Sequence, residues 1–167
     1  MSGTTAPSTF SLLRNRGYSA VLAYRICALL SYQIVAVTVG WHIYELTRDT
    51  FSLGLVGLAE VLPFFCVAPF AGYLVDHLPR RRVGIVACGA LATTAVILVA
   101  VSAGWLPFDG TWPIYAAIAL TGMARSFLSP VYNALFAKVL PREDFVRAAG
   151  LGSVIFQAAL VTGPAVG

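Results

Sequence analysis

Long apolar runs alternate with short polar connections along this chain, and the alternation predicts its fold. Four runs are complete and a fifth reaches the last residue, at roughly 20–44, 51–75, 83–106, 112–137 and 148–167. A helix rises about 1.5 Å per residue, so about 20 apolar residues cross the ~30 Å hydrocarbon core of a bilayer. The sequence therefore predicts an all-α fold, a polytopic membrane helix bundle of about five transmembrane helices. The bundle is expected over residues 18–167, after a cytoplasmic N-terminal tail at residues 1–17.

The fifth run ends at the last residue with no flanking charge or polar tail. We therefore expect the bundle to be incomplete and the chain to be a fragment of a longer protein. The alternative is a short final helix that ends there.

Composition supports a membrane protein over a soluble one. Hydrophobic residues make up 59% of the chain and charged residues 11%, against about 25% charged residues in soluble domains. The lipid bilayer is thus the expected partner. The net charge of +4 does not indicate nucleic-acid binding, because the basic residues are confined to short segments without interleaved aromatic residues.

The distribution of Lys and Arg predicts how the helices cross the membrane. Eight basic residues fall on the side of the N-terminus, namely Arg14, Arg16, Arg80, Arg81, Arg82, Lys138, Arg142 and Arg147. The opposite side carries only Arg48. By the positive-inside rule, the N-terminus is expected in the cytoplasm. An aromatic belt is expected at the outer boundary, formed by Trp41, Tyr44, Trp105 and Trp112.

Three ionisable residues, Arg25, Glu60 and Arg125, lie within the apolar runs. A charge at the bilayer centre costs about 2.5–3.5 kcal/mol on insertion scales, so each should face protein or water. The depths of Glu60 and Arg125 in their runs differ by roughly 6 Å, which long side chains can span. We expect them to share an interior, directly or through water. They form either a pair that only fixes helix register or a substrate or proton site.

The first run contains two polar residues of interest, Arg25 and Gln33. Arg25 is nearer its cytoplasmic end, where a long side chain is expected to extend to the surface. Gln33 is near the middle and is a candidate for a cavity-lining group or for an interhelical hydrogen bond.

The stretch at 72–82, GYLVDHLPRRR, resembles the signature loop of the major facilitator superfamily. That pattern has a glycine, three residues, an aspartate, a basic residue, any residue, a glycine and two basic residues. The match and its extension rest on Gly72, Asp76, Arg80, Arg81 and Arg82. His77 and Pro79 replace a basic residue and the second glycine, so a stiffer turn is expected. The resemblance implies that the aspartate helps to latch two halves of a transporter on the cytoplasmic side.

Other stretches resemble the drug- and siderophore-exporter branch of that family. They are WHIYELTRDTFSLGLVGLAEVLPFF at 41–65 and ARSFLSPVYNALFAKVLPREDFVRAAGL at 124–151. Arg125 resembles the arginine of a fourth-helix motif associated with proton coupling, although Ser129 replaces its usual glycine. GPAVG at the end of the chain resembles the tail of an antiporter motif associated with export, through Gly163, Pro164 and Gly167.

The resemblance implies a transporter half in the cell inner (plasma) membrane that works with a missing C-terminal half. We expect proton-coupled efflux of a small amphipathic or hydrophobic compound of drug or siderophore type, with that molecule and protons as partners. The alternatives are a lysophospholipid or metabolite carrier of the same fold and a non-transporting membrane scaffold subunit. Neither an enzyme, a cofactor nor a metal is expected, because the sequence has no Gly-rich phosphate loop, nucleophile elbow or metal-ligand cluster.

Overall fold

The computed structural model describes residues 15–105 and 110–166, which form five long helices. These are α1 Arg16–Thr47, α2 Thr50–His77, α3 Arg80–Ser102, α4 Trp112–Val139 and α5 Phe145–Val166. A short 3-10 helix, Arg142–Asp144, precedes α5. Each long helix is apolar and long enough to cross a bilayer, and these two segments contain no strand. The predicted all-α membrane helix bundle is confirmed.

Helix starts differ from the apolar runs because polar residues also form the first turns. Helix α1 begins at Arg16, inside the predicted tail, since the Asn15 side chain accepts a hydrogen bond from the Gly17 amide at 3.0 Å. Helix α3 begins at Arg80, so the three arginines predicted in a loop form its first turn. The carbonyl oxygen of Pro79 accepts hydrogen bonds from the Arg82 and Val83 amides, and arginine is a good helix former.

The other helix ends move by a few residues. Helix α5 begins at Phe145 instead of residue 148, directly after the 3-10 turn. Helix α3 ends at Ser102, before the predicted end of the third run at residue 106, which lies outside the described residues. Apolar runs mark the lipid-crossing part of a helix, whereas the helix itself ends where its backbone hydrogen bonds end.

Helix α4 is the centre of the bundle. It packs against α1, α2 and α3, while α5 packs mainly on α1. At one end, apolar side chains of four helices form a common core that includes Ile43, Val56, Leu98 and Ile114. At the other end, the buried Tyr18 donates a hydrogen bond to the carbonyl oxygen of Ala148 at 3.0 Å, which joins α1 to the start of α5.

Glycines set two close helix contacts. A Cβ at Gly122 of α4 would overlap the backbone carbonyl of Glu60, so α4 lies directly against the α2 backbone there. A Cβ at Gly163 of α5 would come within 2.6 Å of the Gln33 Cβ on α1. Small residues of this kind let helix backbones approach closely in lipid, where packing rather than the hydrophobic effect holds helices together.

The predicted outer end carries the exposed aromatic residues. Trp41 and Tyr44 lie near the end of α1, Trp105 follows α3, and Trp112 begins α4, and all four are exposed. At the same end, Asp49 caps α2 by accepting hydrogen bonds from the Phe51 and Ser52 amides. The arrangement agrees with an interfacial belt, while the direction in which the helices cross the membrane stays a prediction.

Candidate functional site

Glu60 of α2 and Arg125 of α4 form an ion pair in the middle of the bundle. Arg125 Nη1 lies 2.6 Å from Glu60 Oε1 and also donates a hydrogen bond of 2.9 Å to the Tyr32 hydroxyl. The guanidinium stacks on the Tyr32 ring, with Cζ 3.9 Å from the ring centroid, and lies 5.6 Å from the Phe64 ring centroid. The Glu60 side chain is 13% exposed and the Arg125 side chain is 38% exposed. Other groups can therefore reach the Arg125 guanidinium more easily than the Glu60 carboxylate.

Arginines and tyrosines alternate between α1 and α4. Arg25 and Tyr32 are seven residues apart on α1, and Arg125 and Tyr132 are seven residues apart on α4. Residues at this spacing lie on one helix face, about 10 Å apart along the axis. Because the two helices are antiparallel, Arg125 stacks on Tyr32 while Arg25 stacks on Tyr132. Two stacked Arg–Tyr pairs therefore join α1 to α4 at two levels.

Arg25 does not extend to the predicted cytoplasmic end of α1, contrary to the sequence-based expectation. Its Cζ lies 4.2 Å from the Tyr132 ring centroid and 5.0 Å from the Phe156 ring centroid of α5. A Cβ at Gly152 of α5 would be 3.5 Å from Arg25 Nη1, so the guanidinium also lies close to the α5 backbone. Aromatic faces attract cations, and they hold this side chain inside the bundle.

The two arginines line one pocket of about 230 Å³. Rings of Phe64, Tyr132 and Phe156 form part of its wall. Further polar lining comes from Ser129 and Asn133 of α4, which are exposed. The pocket is therefore an apolar and aromatic cavity with two guanidinium groups, open at the surface of the chain.

The third residue proposed for this site, Gln33, lies elsewhere. Its side chain packs against Gly163 at the contact between α1 and α5, and its neighbour Tyr32 occupies the place beside the ion pair. Gly163 is buried, and Pro164 is an exposed residue within α5. Gly167, the last residue of the export-motif remnant, lies outside the described residues. The functional role of all four stays a prediction.

The signature stretch forms the end of α2, a two-residue turn and the start of α3. Asp76 is exposed in the last turn of α2, and in the described parts of the chain no basic side chain is within ion-pair distance of it. Gly72, one turn earlier, would accept a Cβ without contact. Nothing in the packing of residues 15–105 and 110–166 therefore requires the glycine or the aspartate.

The basic end of the signature stretch contacts α4. Arg80 Nη1 donates a hydrogen bond of 3.3 Å to the Ala134 carbonyl, which holds the start of α3 against α4. Arg81 and Arg82 are exposed beside it. The ring of His77 stacks on Tyr73, with centroids 4.0 Å apart, and its Nδ1 lies 2.9 Å from the Tyr73 carbonyl. His77 is thus the last residue of α2 and packs on its own helix, directly before the turn that leads to α3.

Sequence reasoning missed Tyr32, Gly122 and the aromatic partners of Arg25. The signal for Gly122 was available: it precedes Arg125 by three residues and so lies on nearly the same face of α4. For Tyr32 the signal was a hydroxyl in the middle of a membrane helix. Phe156 had no signal, because a phenylalanine in an apolar run is what lipid exposure also produces.

Five helices long and apolar enough to cross a membrane, packed around an internal ion pair and a pocket, define a multi-pass membrane helix bundle. The family model of the Major Facilitator Superfamily matches residues 21–167. The chain belongs to the Major Facilitator Superfamily, a family of membrane transport proteins.

Curated relatives agree with that assignment at low identity. Macrolide efflux protein A of Streptococcus pyogenes is 23% identical over 149 residues, which are 89% of this chain and 36% of that protein. The lysophospholipid transporter LplT of Serratia proteamaculans is 24% identical over 163 residues, which are 98% of this chain and 38% of that protein. The chain thus spans little more than a third of these relatives' lengths. No solved structure matches the chain.

Proposed function

We propose that this chain is the N-terminal half of a proton-coupled exporter of small amphipathic or hydrophobic molecules. The observation that carries the proposal is the Glu60–Arg125 ion pair inside a bundle of this family. Ionisable residues within membrane helices are costly and commonly mark ion, proton or substrate paths. Similarity to macrolide efflux protein A supports export.

The ion pair offers a simple means of proton coupling. Ionised Glu60 holds Arg125 by a short charge-assisted hydrogen bond. When a proton binds Glu60, that charge pairing is lost, while Arg125 keeps its hydrogen bond to Tyr32 and its contacts with the Tyr32 and Phe64 rings. Two arrangements of the α2–α4 contact, one for each protonation state, would then link proton binding to the shape of the neighbouring pocket.

A second half of the protein would complete the transport path. The polar residues Ser129 and Asn133 are exposed within a membrane helix, where lipid contact would be unfavourable. A facing half or a water-filled path would solvate them. Asp76, which has no ion-pair partner in the described parts of this chain, would find one on that half and latch the two halves at the cytoplasmic side.

Inside-out membrane vesicles that contain the intact protein test this proposal. With the lumen acidified, an exporter exchanges luminal protons for external substrate and accumulates a radiolabelled macrolide, and a protonophore abolishes the accumulation. Vesicles without the protein are the control. Accumulation that survives the protonophore contradicts proton coupling, and absence of uptake contradicts macrolide export.

A specific observation also favours the second candidate, a lysophospholipid carrier. The lysophospholipid transporter LplT aligns with nearly the whole chain. The same vesicles incubated with radiolabelled lysophosphatidylethanolamine distinguish the two substrates. Membership of a transporter family favours either one over a non-transporting scaffold subunit.

A further inference from the structure

We infer that the pocket between α1, α4 and α5 binds the anionic group of an amphipathic ligand through Arg25. The inference deepens the proposed transport function and rests on it for biological meaning, since it names the charge class of the molecule that the pocket would accept. Among the described residues, the interior carries the cations Arg25 and Arg125 but only one anion, Glu60.

The two arginines differ in their compensation. Arg125 is neutralised by Glu60 at 2.6 Å. Arg25 contacts two aromatic rings, and within residues 15–105 and 110–166 it has neither a carboxylate nor another hydrogen-bond acceptor. An arginine guanidinium stays charged in proteins, so loss of a proton cannot remove this charge. A net positive charge is therefore left in the pocket.

The geometry of Arg25 leaves its hydrogen-bond donors available. Tyr132 and Phe156 contact the guanidinium as ring systems at 4.2 Å and 5.0 Å from their centroids. These contacts are cation–π contacts, which need no N–H hydrogen bond, and no side-chain hydrogen bond joins Arg25 to another described residue. A planar carboxylate, or two oxygens of a phosphate, fits such an edge with two parallel hydrogen bonds. The aromatic contacts therefore keep Arg25 in the pocket while its hydrogen-bond donors stay available to an anion.

The rest of the pocket suits the apolar part of the same molecule. Its volume of about 230 Å³ is walled by aliphatic and aromatic side chains, with Arg25 and Arg125 as its two cationic groups. Because Arg125 is already paired with Glu60, Arg25 is the one that a ligand can neutralise without breaking an internal contact. An apolar tail with an acidic head fits this division better than a neutral or cationic amphiphile.

Equilibrium binding to the intact protein in detergent tests the inference without any transport. The probe is 11-(dansylamino)undecanoic acid, compared with its uncharged primary amide, at a pH where the acid is ionised. The dansyl fluorescence reports binding of both. We expect the wild-type protein to bind the acid about tenfold or more tightly than the amide, the range for a hydrogen-bonded charge pair. Equal affinities overturn the inference.

Variants assign that preference to Arg25. Arg25→Gln is expected to weaken acid binding about tenfold or more and to leave amide binding nearly unchanged. Arg25→Lys keeps the charge and should retain part of the preference. Arg48→Gln is the matched control, because it removes one positive charge from an exposed site at the opposite end of α1. If Arg25→Gln fails to fold, Arg25→Lys against Arg48→Gln decides the same question.

The outcomes separate this inference from the proposed function. An acid preference that depends on Arg25, in a protein without proton-driven transport, supports the anion site and contradicts the transport proposal. Proton-driven transport combined with an acid preference that Arg25→Gln does not change, or that Arg48→Gln abolishes equally, overturns the anion site alone.

Discussion

Replacing Gly122 by alanine is expected to push α2 away from α4 beside the ion pair. The added Cβ would overlap the carbonyl oxygen of Glu60. Both atoms belong to helix backbones or are fixed to them, so only a shift of one helix relieves the overlap. Overpacking of this kind costs about 1–3 kcal/mol. Alanine itself favours the helix by about 0.8–1.0 kcal/mol over glycine, so the expected net loss lies between about 0 and 2 kcal/mol relative to wild type, and the full overpacking cost of about 1–3 kcal/mol is the expected difference from a glycine-to-alanine change without a close contact.

Unfolding of the intact protein by SDS in dodecyl maltoside micelles measures this loss. Gly57→Ala is the matched control, because Gly57 lies on α2 near Glu60 and an added Cβ there contacts nothing within 4 Å. Gly57→Ala should be unchanged or slightly more stable, since only the helix propensity term remains. If Gly122→Ala is as stable as Gly57→Ala, the close contact between α2 and α4 is wrong, and with it the geometry of the ion pair.

Two further predictions follow from single contacts, and a third follows from the predicted membrane orientation. Tyr32→Phe removes the hydroxyl that Arg125 binds but keeps the stacked ring. The free energy of unfolding should therefore fall by about 1.5–3 kcal/mol, the contribution of a hydrogen bond to a charged group. No change would mean that water replaces the hydroxyl. Asp49→Ala removes both caps of α2 and should cost about 0.5–2 kcal/mol in the same assay, whereas Asp49→Asn should cost much less. Arg81→Cys should react with a membrane-impermeant maleimide only in inside-out vesicles, and labelling of intact cells would reverse the predicted orientation. That labelling requires a background without the native cysteines, Cys27, Cys66 and Cys88.

The fold could be predicted because lipid imposes one strong constraint. Every backbone polar group must be paired inside the membrane, so an apolar run of sufficient length becomes a helix. The runs located all five helices but not their ends. The Asn15 cap and the three arginines after Pro79 extend α1 and α3 beyond the apolar residues, because helix ends depend on local hydrogen bonding and helix propensity instead of hydrophobicity.

The candidate site could be predicted only where a charge made it visible. Glu60 and Arg125 stood out because each is expensive in lipid, and their similar depth made contact plausible. The rotation of each helix about its axis was not readable from the sequence. That rotation places Tyr32, not its neighbour Gln33, beside the ion pair. It also turns Arg25 toward Tyr132 and Phe156 instead of the membrane surface.

We propose that protonation of Glu60 couples the proton gradient to transport. The most direct test compares wild-type protein with Glu60→Gln in liposomes, using the labelled compound that the wild type transports in membrane vesicles. Two modes are measured, exchange at equal pH on both sides and accumulation driven by a pH gradient. Glu60→Gln is expected to keep exchange but lose gradient-driven accumulation, because glutamine cannot bind and release the proton. Gradient-driven accumulation equal to that of the wild type would contradict it.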